Sequence, residues 1–321
     1  MAPLPKFDEL VHVEGMPKGC AWGLWGPDDQ LGTLNLLTSE VVLAAKNEIQ
    51  KGISVAMNWE MTQNLRHPPS FRRYTKLEII DALPSGTASF DDELYFNPQS
   101  GSQIDGLKHF AHQKTKKYYN GLTHEEILKD PQTPRNGIGN MSSRGGIVTR
   151  GVLLDFKGWA EEQNINFSPV SRFQISISQL EMVASYQNVE LLPGDILIVR
   201  MGLVEWHERA SEDEKLSIRT SQEEFIGVEG NEETARWIWD HQFSMVACDS
   251  TAFEAWPPEG TSMCLHEYMI SMWGMPIGEL WDLEKLAETC KQLKRWSFFF
   301  TSAPLNVAGG ISSPPNALCI F

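Results

Sequence analysis

Ile147-Val148-Thr149-Arg150-Gly151-Val152-Leu153-Leu154-Asp155-Phe156 reads as a strand buried on both faces, ending near an acid. The chain on either side is interpreted against it. Downstream, Ser178 to Tyr186 has helical spacing, and Pro193-Gly194-Asp195 marks a turn into the apolar strand Ile196 to Met201. Residues 205–225 are charged and expected to be exposed. Glu232 to Asp240 is helical, and Phe243 to Cys248 is another apolar strand, closing on Asp249-Ser250. Strands alternating with helices over 147–249 predict a mixed α/β fold. Upstream, Thr38 or Ser39 with Glu40 opens a helix to about Lys51, and Ile53 to Met61 and Leu77 to Leu83 read as strands. Thr123 with Glu126 has the form of a capping box. Residues 130–146, rich in Pro, Gly, Asn and Ser, are expected to be a long loop of the kind that serves as a lid. With no repeat, low-complexity tract or linker, residues 1–321 read as one domain.

The stretch Gln99-Ser100-Gly101-Ser102-Gln103-Ile104-Asp105-Gly106-Leu107-Lys108-His109-Phe110-Ala111-His112 is the densest in chemistry. A helix after Ser102 would put Asp105 and His109, four apart, on one face. A carboxylate beside an imidazole orients the ring and raises its basicity, for acid–base work or for metal binding. The plain alternative is a solvated ion pair. Gly101 and Gly106, which permit close backbone approach, and the apolar Ile104, Leu107 and Phe110 weigh against it.

A second stretch, Leu265-His266-Glu267-Tyr268-Met269-Ile270-Ser271-Met272-Trp273-Gly274-Met275-Pro276-Ile277-Gly278-Glu279-Leu280, has helical spacing up to Trp273, stopped by Gly274 and Pro276. His266 and Glu279 cannot share a helix face, but they can converge if the chain folds back. Taken singly, each is as well explained as a helix polar residue or a helix-start acid. Trp22 and Trp25 are core by default and pocket-lining as the alternative. Tyr118-Tyr119-Asn120-Gly121 reads as a turn.

The 321 residues carry 42 acids against 27 bases, a net charge of −15. Nothing in that balance would neutralise phosphates, so no nucleic-acid partner is expected. No run approaches the roughly 20 apolar residues of a membrane span, and Met1 to Phe7 lacks the apolar core of a signal peptide. Five widely spaced cysteines with no Cys-x-x-Cys predict reduced thiols and a cytoplasmic protein. Eleven tryptophans suggest a large core and an aromatic-lined pocket.

Residues 99–109 also resemble the signature of the kynurenine formamidase/cyclase-like hydrolases, His-x-Gly-Thr-His-x-Asp-x-Pro-x-His. Asp105 and His109 match it. Gln99 and Gln103 stand where the family has histidines, and Leu107 where it has proline. The likeness is to the family's glutamine-bearing branch, associated with fungi. Asp29-Gln30-Leu31-Gly32-Thr33-Leu34-Asn35-Leu36-Leu37, Tyr119-Asn120-Gly121, Arg150 to Asp155 and Ser302 to Ala317 extend the similarity over nearly the whole chain.

The resemblance implies a swivelling β/β/α, cyclase-like single domain with a mixed sheet, acting on a small molecule as a homodimer or higher oligomer. It implies metal ligation by Asp105, His266 and Glu279, with His109 moving the proton beside Asp105. The metal position that uses the two early histidines is lost to Gln99 and Gln103, because carboxamide oxygen is a weak donor. One divalent ion at most is therefore expected, Mn²⁺, Zn²⁺ or Mg²⁺, and no organic cofactor. Gln99, Gln103, Trp22, Trp25 and Tyr119 are the expected substrate contacts. The leading expectation is a metal-assisted hydrolase of a small amide, lactam, ester or lactone. The alternatives are a metal-independent cyclase or dehydratase using Asp105 and His109, and a non-catalytic small-molecule binder.

Overall fold

The structure, a computed structural model, describes residues 4–61, 72–220, 224–258 and 263–321. Its strands in chain order are β1 (Ser54–Ala56), β2 (Lys76–Asp81), β3 (Phe90–Tyr95), β4 (Gln103–Asp105), β5 (Ile147–Leu154), β6 (Gln174–Ile175), β7 (Ile196–Val199), β8 (Gly227–Val228), β9 (Met245–Cys248), β10 (Ile277–Glu279), β11 (Ser297–Ser302), β12 (Ser312–Ser313) and β13 (Ala317–Ile320). Nine of them form one mixed sheet in the order β1-β13-β11-β5-β7-β9-β10-β4-β12. The four at its centre, β5, β7, β9 and β10, are parallel. The flanking strands are antiparallel. The fold is mixed α/β, as the alternation over 147–249 predicts.

The pleat divides the core in two. Val152, Leu154, Leu197, Val199, Val246 and Cys248 point to one face, where the helices Phe156–Glu162, Ile177–Tyr186 and Glu232–Asp240 pack. Leu153, Ile196, Ile198, Met245 and Ala247 point to the other, under the helix Glu284–Leu293 and under Leu34 and Leu37. A strand covered on both sides needs no polar alternation, which is why the central strands read as unbroken apolar runs. Each Val, Leu, Ile or Met among them contributes roughly 1.5–3 kcal/mol by leaving water.

Several expectations change at the elements' ends. The strand at 53–61 is only Ser54–Ala56, where Val55 alone is buried. The first helix ends at Ala45 and tightens into a 3₁₀ turn at Lys46–Glu48. Residues 130–146 are not one free loop. They include the helix Gly139–Ser143, Ile138 is fully buried, and the backbone is tied to the chain end by Ile138 N to Gly310 O at 2.9 Å and Gly139 N to Val307 O at 3.2 Å. Composition marks loop chemistry but not what the loop packs against. The Thr123–Glu126 capping box is present.

Two glycines let the N-terminal segment reach the sheet's far end. Gly32 and Gly274 both have positive φ, and a Cβ on Gly32 would sit 2.2 Å from Gly274 O. This contact locks the turn after Asp29 onto the end of the π-helix Glu267–Trp273.

Candidate active site

The site is built on strand register. β4 runs antiparallel to β10, and Gln103 faces Glu279 across the pair. Gln103 and Asp105 are two apart on one strand, so their side chains emerge on the same face. Gln103 Nε2 donates to Glu279 Oε2 at 2.7 Å and lies 3.1 Å from Asp105 Oδ2. The helix expected after Ser102 is absent. Asp105 ends a strand, and a turn closed by His109 N to Gly106 O at 2.9 Å brings His109 Nε2 to 3.7 Å from Asp105 Oδ2. The two residues meet as expected, by a different backbone path. At that separation their interaction is electrostatic rather than a hydrogen bond.

Gln99 enters from the loop after β3. Its Nε2 donates to Asp105 Oδ1 at 2.6 Å and lies 2.9 Å from His109 Nδ1. The same amide nitrogen lies 3.4 Å from Nε2, so it sits against both ring nitrogens and leaves either one to carry the proton. Burial pulls His109 below the usual imidazole range against the raising effect of Asp105, which keeps the ring neutral. The carbonyl of Gln99 accepts from Arg72 Nη1 at 2.7 Å.

His266 arrives at the start of the π-helix, a geometry that concentrates at functional sites. Glu254, fully buried, holds it twice. One carboxylate oxygen accepts from the His266 backbone N at 3.1 Å, and the other meets Nδ1 at 2.8 Å. That leaves Nε2 facing the site, 3.2 Å from Glu279 Oε1. Burial alone would lower His266, but Glu254 and Glu279 override it and hold the imidazole well above its ordinary value. Burial and the Asp105 charge push Glu279 up to about 7. The Phe110 ring packs on His266 with centroids 5.2 Å apart.

Asp105, His109 and His266 each offer a donor atom, all within 4.8 Å of one another, and Glu279 joins them through His266 and Gln103. Three buried carboxylates, Asp105, Glu254 and Glu279, surround one imidazole that can carry a charge at His266. Glu279 Oε1 meets His266 only as an ionic contact outside hydrogen-bonding alignment. It and Gln103 Oε1 are buried oxygens with no hydrogen-bond partner among the described residues. An excess of buried anionic oxygen and two unsatisfied acceptors fit a cation.

Other expected contacts lie elsewhere. Trp22 Nε1 donates to Ser271 O at 2.7 Å, and Trp25 packs on Trp239 at 6.3 Å. The Tyr119 hydroxyl donates to Asp29 at 2.9 Å. All three support the segment that the glycine pair locks in place, and none touches Asp105, His109, His266 or Glu279 in these contacts. Glu254, Arg72 and Phe110 were not expected at the site. Nothing in local spacing marks them, although a buried Glu twelve residues before a candidate ligand is the kind of partner that histidine ligands use.

A family model described as "Putative cyclase" matches residues 53–255, well over half the chain and including β4, Asp105, His109 and Glu254. The chain belongs to the putative cyclase family. A solved structure described as a novel cyclase aligns to this cyclase-family chain at 28% identity with a TM-score of 0.81, covering 94% of this chain and 99% of that one. Isatin hydrolase A from Ralstonia solanacearum aligns at 18% identity and a TM-score of 0.59, covering 88% and 98%. Isatin hydrolase A from Labrenzia aggregata, bound to benzyl benzoate, aligns at 15% and 0.57, covering 89% and 98%. The two hydrolase likenesses concern the fold. No curated protein matches the chain. Among the described residues no helix is long and apolar enough to cross a membrane, and all five cysteines are free and buried.

Proposed function

We propose that this cyclase-family chain hydrolyses the carbonyl C–N or C–O bond of a small amide, lactam, ester or lactone, assisted by one divalent cation. In this reading it belongs to the glutamine-bearing branch of the kynurenine formamidase-like hydrolases, folded over 1–321 as one swivelling β/β/α domain in the cytoplasm. The observation that carries the reading is the convergence of Asp105, His109, His266 and Glu279 in a buried site with more carboxylate than cation.

Asp105, His266 and Glu279 would hold the ion. Two carboxylates, one imidazole and nearby carboxamide oxygens suit Mn²⁺ or Mg²⁺ as well as Zn²⁺. When bound there, a divalent cation would supply polarisation of the carbonyl and a lowered pKa for water, so that hydroxide is available as nucleophile. His109, neutral and next to Asp105, takes up and returns the proton. Glu254 keeps the His266 ring from turning, and the Gln99 and Gln103 amides, now given to Asp105, Glu279 and His109, would hold substrate oxygen by releasing one of those contacts. No organic cofactor is called for.

The test is metal analysis of purified protein alongside turnover of cyclic amides, acyclic amides and lactones. The solved isatin hydrolases make a lactam the first substrate to try. About one ion per chain, with turnover lost on chelation and on Asp105→Asn, is expected. One observation favours a second reading, a metal-independent cyclase or dehydratase. Gln99 and Gln103 already donate to both oxygens of Asp105, and Gln103 also to Glu279, so amide protons stand in part where a cation would. Metal-free protein that still turns over substrate selects that reading. Ligand binding unchanged in His109→Ala, with no turnover under any condition, selects a non-catalytic binder.

A further inference from the structure

A cavity of about 350 Å³ lies beside the loop that carries Gln99, between the foot of the β2–β3 ribbon and the chain's last segments. Its apolar walls are Trp59, Met61, Leu94, Phe96, Leu305 and Pro315. None of Gln99, Gln103, Asp105, His109, His266 and Glu279 lines it, so it is separate from the candidate active site. On a chain with 21% charged residues, none of its walls among the described residues is charged. An ion taken into it would find no counter-charge, so the pocket selects a neutral ligand. At roughly 30 Å³ per water-sized group, the volume holds about a dozen non-hydrogen atoms.

The polar groups left over in its walls are mainly donors. Thr75 Oγ1 is a buried hydroxyl with no hydrogen-bond partner among the described residues. A buried polar atom left in this way asks for a partner from outside the chain. Asn58 and Asn97 spend their side-chain oxygens within the protein, accepting from Ala317 N at 3.1 Å and from Gln99 N at 2.8 Å. Each then has its amide N–H groups to offer. Donors without a cation suit a carbonyl oxygen. The walls also connect to the candidate active site. Asn97 fixes the backbone of Gln99, whose amide reaches Asp105 and His109. Ser102 Oγ accepts from Trp59 N at 2.7 Å and donates to Leu280 O at 2.5 Å, which joins the pocket to the neighbours of Gln103 and Glu279.

We infer that this cavity is a second small-molecule site, taking a neutral mono- or bicyclic carbonyl compound, and that its occupancy is felt at His109 through Gln99. The rings replace water against the apolar walls, and the carbonyl oxygen accepts from Thr75 and the asparagine amides. A ligand that draws on the Asn97 amide displaces the group holding Gln99 N. Gln99 passes that displacement to the imidazole it touches at 2.9 Å. Neither half of the inference rests on hydrolysis or on a metal, so it stands or falls apart from them.

Isothermal titration of the full chain with α-tetralone, a bicyclic ketone with no bond to hydrolyse, tests the site. A Kd of about 0.1 mM is expected. The anion α-naphthoate, of similar size, is expected to bind about tenfold more weakly or worse. Leu305→Trp fills the cavity from a position 42% exposed, and is expected to abolish binding while keeping the wild-type thermal melt. Thr75→Val removes the orphan hydroxyl and is expected to weaken binding about fivefold. The His109 ring resonances, assigned by their loss in His109→Gln, are expected to shift on saturation of wild type and not in Leu305→Trp. No binding at about 1 mM α-tetralone overturns the site. Equal affinity for α-naphthoate, or binding indifferent to Leu305→Trp or to Thr75→Val, overturns it as well. Saturation that leaves the His109 resonances in place overturns the link to the active site.

Discussion

Glu254 never touches the site's centre, yet it decides how His266 presents itself. Its two oxygens take the backbone N and Nδ1 of His266, which fixes Nε2 toward Glu279. In Glu254→Gln one of those contacts loses its acceptor and the ring is freer to turn. Divalent-ion affinity, followed by titration with Co²⁺ absorption, is expected to fall about 10–100-fold. An unchanged titration would remove Glu254 from the machinery. Gln99 and Gln103 permit the converse experiment. Both amides already reach Asp105, at 2.6 and 3.1 Å, so imidazoles at these positions add two good donors around one carboxylate. Gln99→His with Gln103→His is expected to raise bound metal from one ion per chain to two by elemental analysis, and a ratio that stays at one rejects the assignment of the lost position.

At the scale of elements, two buried contacts set how pieces meet. Gly32 against Gly274 leaves no room for a methyl group, with 2.2 Å to a carbonyl oxygen that cannot swing away. Gly32→Ala is expected to cost about 2–3 kcal/mol in urea unfolding. Asp249, at the end of β9, accepts from Met201 N at 2.6 Å and Gly202 N at 2.7 Å and so stops the chain after β7. Burial nonetheless lifts its carboxyl from 3.8 to about 7, with the two N–H groups and Arg200 only partly opposing it. Between those values the folded chain keeps a proton that the unfolded chain has released. Stability from this group therefore falls as pH rises through that window and is level above it. Urea midpoints at about pH 5 and 8 are expected to show that slope in wild type and a shallower one in Asp249→Asn. The Asn variant is also less stable overall, by about 1–3 kcal/mol, because one N–H loses its acceptor.

For the whole molecule, the buried carboxylates of the site are a cost that a bound cation would offset. An ion that binds only the folded chain raises the melting temperature with its concentration. Mn²⁺ or Zn²⁺ in excess is expected to raise the melt of chelator-treated protein by several degrees, with Asp105→Asn largely insensitive. Equal melts with and without metal would favour the metal-independent reading.

How far the sequence alone carries is uneven. The runs at 147–156, 196–201 and 243–248 announced central strands because a strand covered on both faces is apolar at every position. Asp105, His109, His266 and Glu279 stood out through a motif pattern rather than through local geometry, and the helix that spacing suggested for the first pair does not exist. Trp22, Trp25 and Tyr119 were legible as large rings but not as to what they pack on, which is the N-terminal segment and the π-helix. Glu254 was invisible, since a buried acid and an exposed one are written with the same letter.

By itself, then, the sequence determined the α/β class, the central strands and the residue types of the site, because burial periodicity and side-chain chemistry are local properties. Only the tertiary structure decided that Gln103 faces Glu279 across two strands, that Glu254 holds His266, and that both strands of the acidic β2–β3 ribbon stay exposed. Register and burial depend on residues more than a hundred positions away, and no window along the chain contains both partners.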